Sequence, residues 1–260
     1  MKKVIINADD LGISEAYNYG VIKACREGIA GSTSIMINMP AAQQAVQLVG
    51  ECPGLFIGLH TNLVLGSPCS DPREIPSLVD ERGLFYRSSV YRTGKRNFIY
   101  EDVKTETIAQ MERFRKMTGS YPVHIEPHAV ISPVIESVLF DVAQQFGIHT
   151  TPFSESAKIK YHIRGYADVV VHSNPIFNDI LDHGVTVDNF LKDDLGILSA
   201  KDSEILEYHF HPGYIDQFLL DNSSLTLPRC RDLATLCEPL VKNWFDEHDV
   251  QIVDYTMLRC

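Results

Sequence analysis

Short apolar runs alternate with amphipathic stretches along the whole chain, and this alternation constrains the fold more than any single residue does. Runs at 3–7, 34–38, 55–60, 121–126, 148–152, 168–172, 205–211 and 250–255 predict strands. Residues 15–28, 41–50, 101–118, 132–146 and 231–247 predict helices, with Ser14 placed to cap the first. In 101–118, Val103, Thr107, Met111 and Phe114 fall on one side and the charges elsewhere. Strands that alternate with helices pair in parallel through crossover helices. Seven or eight such units in 260 residues predict one α/β unit, a (β/α) barrel-like fold, distorted or with seven strands. An open doubly wound sheet is the competing architecture. Residues 61–96 carry Gly66, Pro68, Pro72, Pro76, Gly83 and Gly94, and are too long for an ordinary connection. They read as an insertion over one end of the fold, where function resides.

Charge narrows the partners. There are 23 Lys+Arg against 34 Asp+Glu, a net charge of −11, which argues against nucleic acid or an anionic membrane as the partner. At 45% apolar residues the chain has enough surface to bury, so it is not a disordered segment. No apolar run approaches the ~20 residues needed to cross a bilayer. Val4-Ile5-Ile6, followed by two carboxylates, is too short for the apolar region of a secretory signal, so a cytoplasmic location is expected. Cys25, Cys52, Cys69, Cys230, Cys237 and Cys260 have no zinc-knuckle spacing and are expected as free thiols.

Four of the strands end in titratable residues. These are Asp9-Asp10, His60, His124-Ile-Glu126-Pro-His128 and His209-Phe-His211. In parallel α/β folds the carboxyl ends of the strands share one face, and sites lie there. Each signal has a plainer reading. A lone Asp after a strand is most simply an Asx turn, a lone strand-end His a satisfied structural one, and Pro-Gly a turn. Adjacent carboxylates are less plain. Neighbouring strand residues face opposite ways, so both reach one site only if the strand breaks, and Gly12 is the expected break. Pro127 argues against a helix, so 124, 126 and 128 share a face of extended chain, with a turn at Pro127 able to redirect His128. His-Pro-Gly at 211–213 fixes an imidazole at a strand end, where it suits acid–base work. His149, His162, His172, His183 and His248 read as structural or exposed, His172 being the first to reconsider, and Trp244 as core or interface.

Taken together, these segments resemble the YdjC-like carbohydrate deacetylases, the chito-oligosaccharide deacetylase family. The matching stretches are 7–12 (Asn-Ala-Asp-Asp-Leu-Gly), 58–63 (Gly-Leu-His-Thr-Asn-Leu), 76–80 with 83–86, 124–128 and 211–214, in the family's order. The resemblance implies a barrel-like fold with one divalent metal held by Asp10, His60 and His128. It implies Asp9 as catalytic base, His211 as the histidine of the His-Pro-Gly turn, and N-acetylated amino sugars or short chito-oligosaccharides, some phosphorylated, as substrates. A homodimer is expected by the same likeness. The family usually has Asp at the place of Glu126 and often another His shortly after His128, where this chain has Ala129 and Val130.

Two imidazoles and one carboxylate leave positions open for water and substrate, which suits Zn²⁺ or Mg²⁺, with Mn²⁺ or Co²⁺ as alternatives. On this reading Asp9 takes a proton from water and His211, as imidazolium, protonates the departing amine. His124 and Glu126 orient a metal ligand or bind sugar hydroxyls. Arg73 and Tyr86 on the insertion meet the sugar, the arginine suiting a phosphate. The rival readings are another metal-dependent barrel hydrolase, such as a phosphoesterase, and a sugar-binding protein without catalysis.

Overall fold

A computed structural model of the protein describes residues 1–151, 153, 169–170 and 176–258. Its strands are β1 (Lys2–Leu11), β2 (Ser32–Ile35), β3 (Ile57–Thr61), β4 (His124–Pro127), β5 (His149–Thr150), β6 (Val169–Val170), β7 (Ile205–Phe210) and β8 (Val250–Val253). All eight lie in one parallel sheet in the order β5-β4-β3-β2-β1-β7-β6, with β8 added beside β1. β7 takes one edge of β1 over Lys3 to Ala8. On the other edge β8 pairs with Lys2 to Ile5 and β2 with Asn7 to Leu11. The curved sheet forms a half-barrel with helices around it, the barrel-like α/β architecture expected from the sequence.

The helices are α1 (Glu15–Glu27), α2 (Ala42–Gly50), α3 (Ser88–Arg92), α4 (Tyr100–Thr118), α5 (Pro133–Phe146), α6 (Phe177–His183), α7 (Val187–Leu191), α8 (Gln217–Asn222), α9 (Leu227–Leu236) and α10 (Pro239–Glu247). Ser14 caps α1 by accepting from the Tyr17 backbone N–H, as expected. The single helix expected over 231–247 is instead α9 and α10. Pro239 cannot follow Glu238 within a helix, and it opens α10 at a position where its missing N–H costs nothing. The strand expected at 168–172 is described only at Val169 and Val170; His172, His162 and Pro152 lie outside the described residues. Cys25, Cys52, Cys69, Cys230 and Cys237 are free thiols.

Side-chain parity divides the sheet into two faces. Val4, Ile6, Ala8, Leu59, Ile125, Leu206, Tyr208 and Phe210 point outward into the apolar layer beneath the helices. Trp244 packs in that same layer, 4% exposed. On the concave face, Ile5, Ile205, Val253 and Tyr255 form a small apolar plug near the amino ends. Above the plug that face is polar. It carries Asn7, Asp9, Ser34, His60, His124, Glu126, Glu207 and His209, all buried or nearly so.

Residues 61–96 have structure of their own: a 3-10 turn at Pro72–Glu74, helix α3, and an antiparallel bridge between Val79 and Phe85. Buried Glu106 on α4 anchors the segment, accepting from the backbone N–H groups of Cys69 and Ser70. At the far end Arg92 donates to the carbonyl of Ala129 at 2.6 Å, so the segment reaches the turn that carries His128.

Candidate active site

The site grows out of a fault in β1. Pairing with β2 slips between Ala8 and Leu11, and Asp10 adopts a left-handed backbone with φ 66°. Asp is among the few residues that tolerate that region. The break expected at Gly12 thus falls at Asp10 itself, and it is what turns two adjacent carboxylates toward one space. Tyr17 on α1 braces the bulge by donating its hydroxyl to the Asp9 carbonyl at 3.0 Å. Gly213, in the turn after β7, lies so close to Tyr17 that a Cβ there would sit 1.9 Å from its ring.

Asp10, His60 and His128 converge. Asp10 Oδ1 lies 3.0 Å from His60 Nε2 and 2.8 Å from His128 Nδ1. Neither contact has hydrogen-bond alignment, and Oδ1 is a buried oxygen with no hydrogen-bond partner among the described residues. An orphaned carboxylate oxygen faced by two imidazole nitrogens is the donor set a divalent cation takes, and one ligand atom from each residue falls within 4.8 Å of the others. The residues fit the metal that the sequence implies. The other oxygen, Oδ2, accepts from Arg229 Nη2 at 2.7 Å, and this guanidinium also lies over the Tyr17 ring. Burial opposes ionisation of Asp10, but His128 and Arg229 hold its carboxyl well below the usual range. Burial would lower His60, yet the facing carboxylates of Asp10 and Glu126 carry it up to about 10. A divalent cation held by His60 would take the place of that proton. His128 is lowered, chiefly by burial.

Around this group stands an outer ring of contacts. His60 Nδ1 donates to Glu126 Oε1 at 3.0 Å, the orienting contact that metal-bound histidines need. Asp9 lies beside the metal group: its Oδ1 accepts from Asn7 Nδ2 at 2.8 Å, and its Oδ2 faces His211 Nε2 at 4.0 Å. The backbone N–H of His211 is held by Asp232, and burial pushes its imidazole down to about 4.

His124 lies below these groups, stacked on Tyr255 with centroids 3.5 Å apart, and neither ring nitrogen has a hydrogen-bond partner. Burial pushes it down to about 3, and its Nε2 lies 4.0 Å from Glu126 Oε1. Tyr86 is half-buried, with the Arg96 guanidinium 4.0 Å from its ring centre. Arg73 is not brought in. It stands in solvent, its guanidinium paired with Asp71 two residues away, because that local carboxylate satisfies it.

Sequence reasoning placed His209 at a strand end without giving it a role, and passed over Glu207 and Arg229. His209 and Glu207 sit on the concave face of β7, and Arg229 reaches in from α9. The first two had a signal, since Glu207, His209 and His211 share strand parity as His124 and Glu126 do. Arg229 had none, because nothing local marks which arginine on a helix will be buried against a carboxylate.

Fold and geometry together define a (β/α) half-barrel with an Asp-His-His group that could hold a metal ion at the carboxyl ends of its strands. The chain belongs to the YdjC-like protein family, whose profile matches residues 3–247. It is 34% identical to a carbohydrate deacetylase of Vibrio campbellii over 98% of this chain and 96% of that protein. A solved Enterococcus faecalis V583 protein that bears the name cellobiose-phosphate cleavage protein superposes with a TM-score of 0.85 at 26% identity, covering 100% of this chain and 99% of that one. The Bc1960 peptidoglycan N-acetylglucosamine deacetylase shares the fold, with a TM-score of 0.51 at 14% identity over 99% of this chain and 87% of that one.

Proposed function

We propose that the protein is a divalent-metal-dependent hydrolase that removes acetyl groups from N-acetylated amino sugars or short chito-oligosaccharides. The observation that carries this reading is the orphaned Asp10 Oδ1 between His60 Nε2 and His128 Nδ1, with Asp9 and His211 beside it. Deacetylase relatives support it. Asp10, His60 and His128 would hold the cation, Zn²⁺ or Mg²⁺ foremost. When bound, it would acidify a water and polarise the acetyl carbonyl.

The protein's own groups do the rest. Asp9 Oδ1 is occupied by Asn7, which leaves Oδ2 to take a proton from the attacking water. His211 Nε2, 4.0 Å from that oxygen, is placed to hand the proton to the departing amine nitrogen. A neutral ring that receives its proton during the reaction serves this purpose, so the low pKa of the resting ring does not oppose the role. Arg229 keeps Asp10 Oδ2 engaged and presents a single oxygen to the cation. We place the sugar under the 61–96 segment, whose Arg92 is tied to Ala129 beside His128, with Tyr86 as a candidate wall. Arg73 would reach a substrate phosphate only by leaving Asp71.

The deciding assay is acetate release from N,N′-diacetylchitobiose by the metal-loaded protein, run beside a phosphodiester. Release of acetate supports the reading; turnover of the phosphodiester alone would replace it with a phosphoesterase, and sugar binding without turnover with a binding protein. Asp9→Asn should keep the metal and lose most of the rate, and near wild-type turnover in that variant would remove Asp9 as the base.

A further inference from the structure

The polar interior continues past the metal group into β7, where one imidazole touches three carboxylates. His209 Nδ1 lies 3.1 Å from Asp9 Oδ1 and 2.9 Å from Glu126 Oε2, and its Nε2 lies 2.9 Å from Glu207 Oε1. Glu207 is itself held, accepting from Thr151 Oγ1 at 2.6 Å and from the Tyr255 hydroxyl. Glu126 uses its other oxygen on His60 Nδ1. A continuous run of contacts therefore leads from Tyr255 and Thr151 through Glu207, His209 and Glu126 to His60, and branches at His209 to Asp9.

We propose that His209 is a positioning residue for deacetylation, clamping Asp9 Oδ1 against Glu126 Oε2 so that Asp9 Oδ2 is the oxygen left aimed at the attacking water. The inference rests on the functional reading above and adds a residue to it. Three arguments carry it. First, carboxylates on both ring nitrogens require both to carry protons, because an unprotonated nitrogen facing a carboxylate would repel it. Burial opposes that charge, and Asp9 and Glu126 outweigh it, so His209 is carried well above the usual histidine range. Second, among the described residues Asp9 Oδ1 has two donors, Asn7 Nδ2 and this ring, so the ring selects which oxygen faces the site. Third, the clamp needs a side chain at 126 long enough to serve His60 with one oxygen and His209 with the other, and glutamate does so.

Two neutral amides of like polarity separate the contacts. In His209→Asn the amide nitrogen falls near the place of Nδ1 and keeps the grip on Asp9 and Glu126. In His209→Gln it falls near the place of Nε2 and keeps only Glu207. The expected result is that Asn retains kcat within about tenfold while Gln loses ~10²-fold, the scale of a misplaced reacting group. KM and divalent-metal affinity, the latter from titration calorimetry of the protein with Zn²⁺, should stay within about threefold of wild type in both. A readout independent of turnover is ¹⁵N NMR of the His209 ring in the wild-type protein, where protons on both nitrogens at neutral pH are expected. Equal kcat in the two variants, parallel loss of kcat and metal affinity or of folding in both, or a neutral His209 ring would each overturn the proposal. If the wild-type protein releases no acetate while the NMR result holds, the functional reading fails and the clamp stands as geometry alone.

Discussion

At the scale of single residues, the interior balances groups held charged against groups held neutral. His124 is the clearest neutral case, with no hydrogen bond to either nitrogen and a tyrosine ring against its face. Its folded pKa, about 3, lies below the ordinary value of 6.5. Between those two pH values the unfolded chain binds a proton that the folded ring refuses, so its contribution makes stability fall as pH falls through that window. His124→Phe keeps the stacking and removes the titration. It should match or exceed wild-type melting temperature at pH 7, and thermal melts from pH 7 to 4 should show a shallower acid decline. A decline as steep as wild type would show that His124 plays no part in it. Glu126 is the opposite case, a carboxylate that burial would neutralise but that His209 and His60 hold ionised. Glu126→Gln should weaken divalent-metal affinity by roughly 10–100-fold, measured by calorimetry, because His60 exchanges a charged orienting acceptor for a neutral amide oxygen.

At the scale of elements, the strands are spaced by what their concave faces must hold. Gly58 in β3 lies where a Cβ would be 2.1 Å from the His124 ring of β4. Gly58→Ala should therefore destabilise by about 1–3 kcal/mol, read as a drop in melting temperature. Combining it with His124→Ala, which vacates the space, should recover part of that loss, and strict additivity of the two would refute the clash. The 61–96 segment is tied to the site end by Arg92 on the Ala129 carbonyl. Arg92→Ala should raise KM for a chitobiose substrate several-fold with a smaller change in kcat, about the ~1 kcal/mol of a single hydrogen bond. An unchanged KM would detach the segment from substrate binding.

At the scale of the whole molecule, metal binding and folding are linked. A cation that binds only the folded protein adds stability, ~2.7 kcal/mol at a hundred times its dissociation constant. Zn²⁺ or another fitting divalent ion should raise the melting temperature of the protein, and a chelator should reverse the rise. Asp10→Asn should abolish the shift, because it removes the oxygen that His60 and His128 face; a shift that survived this substitution would place the cation elsewhere. Among the described residues no helix is long and apolar enough to cross a membrane.

What the sequence determined by itself is whatever is periodic or local. Alternating runs dictated a parallel α/β fold, because apolar strands and amphipathic helices bury their faces in few ways, and left a barrel-like form and an open doubly wound sheet as the two architectures. Strand-end position gathered Asp9, Asp10, His60, His124, Glu126, His128, His209 and His211 on one face, and the family resemblance selected Asp9, Asp10, His60, His128 and His211 among them. The split at Pro239 was legible in the proline, though amphipathic spacing continued across it. Tertiary structure alone decided the rest. The left-handed turn of Asp10 depends on the slip against β2. Arg229 finds Asp10 from 219 residues away. His209 meets Asp9 and Glu126 only when β7 and β4 curve toward a common interior. Arg73, which its place on the 61–96 insertion made a candidate, is paired with the carboxylate of Asp71 two residues away. Periodicity says which face a side chain takes, but the partner it finds there is set by the curvature and register of strands far apart in the chain.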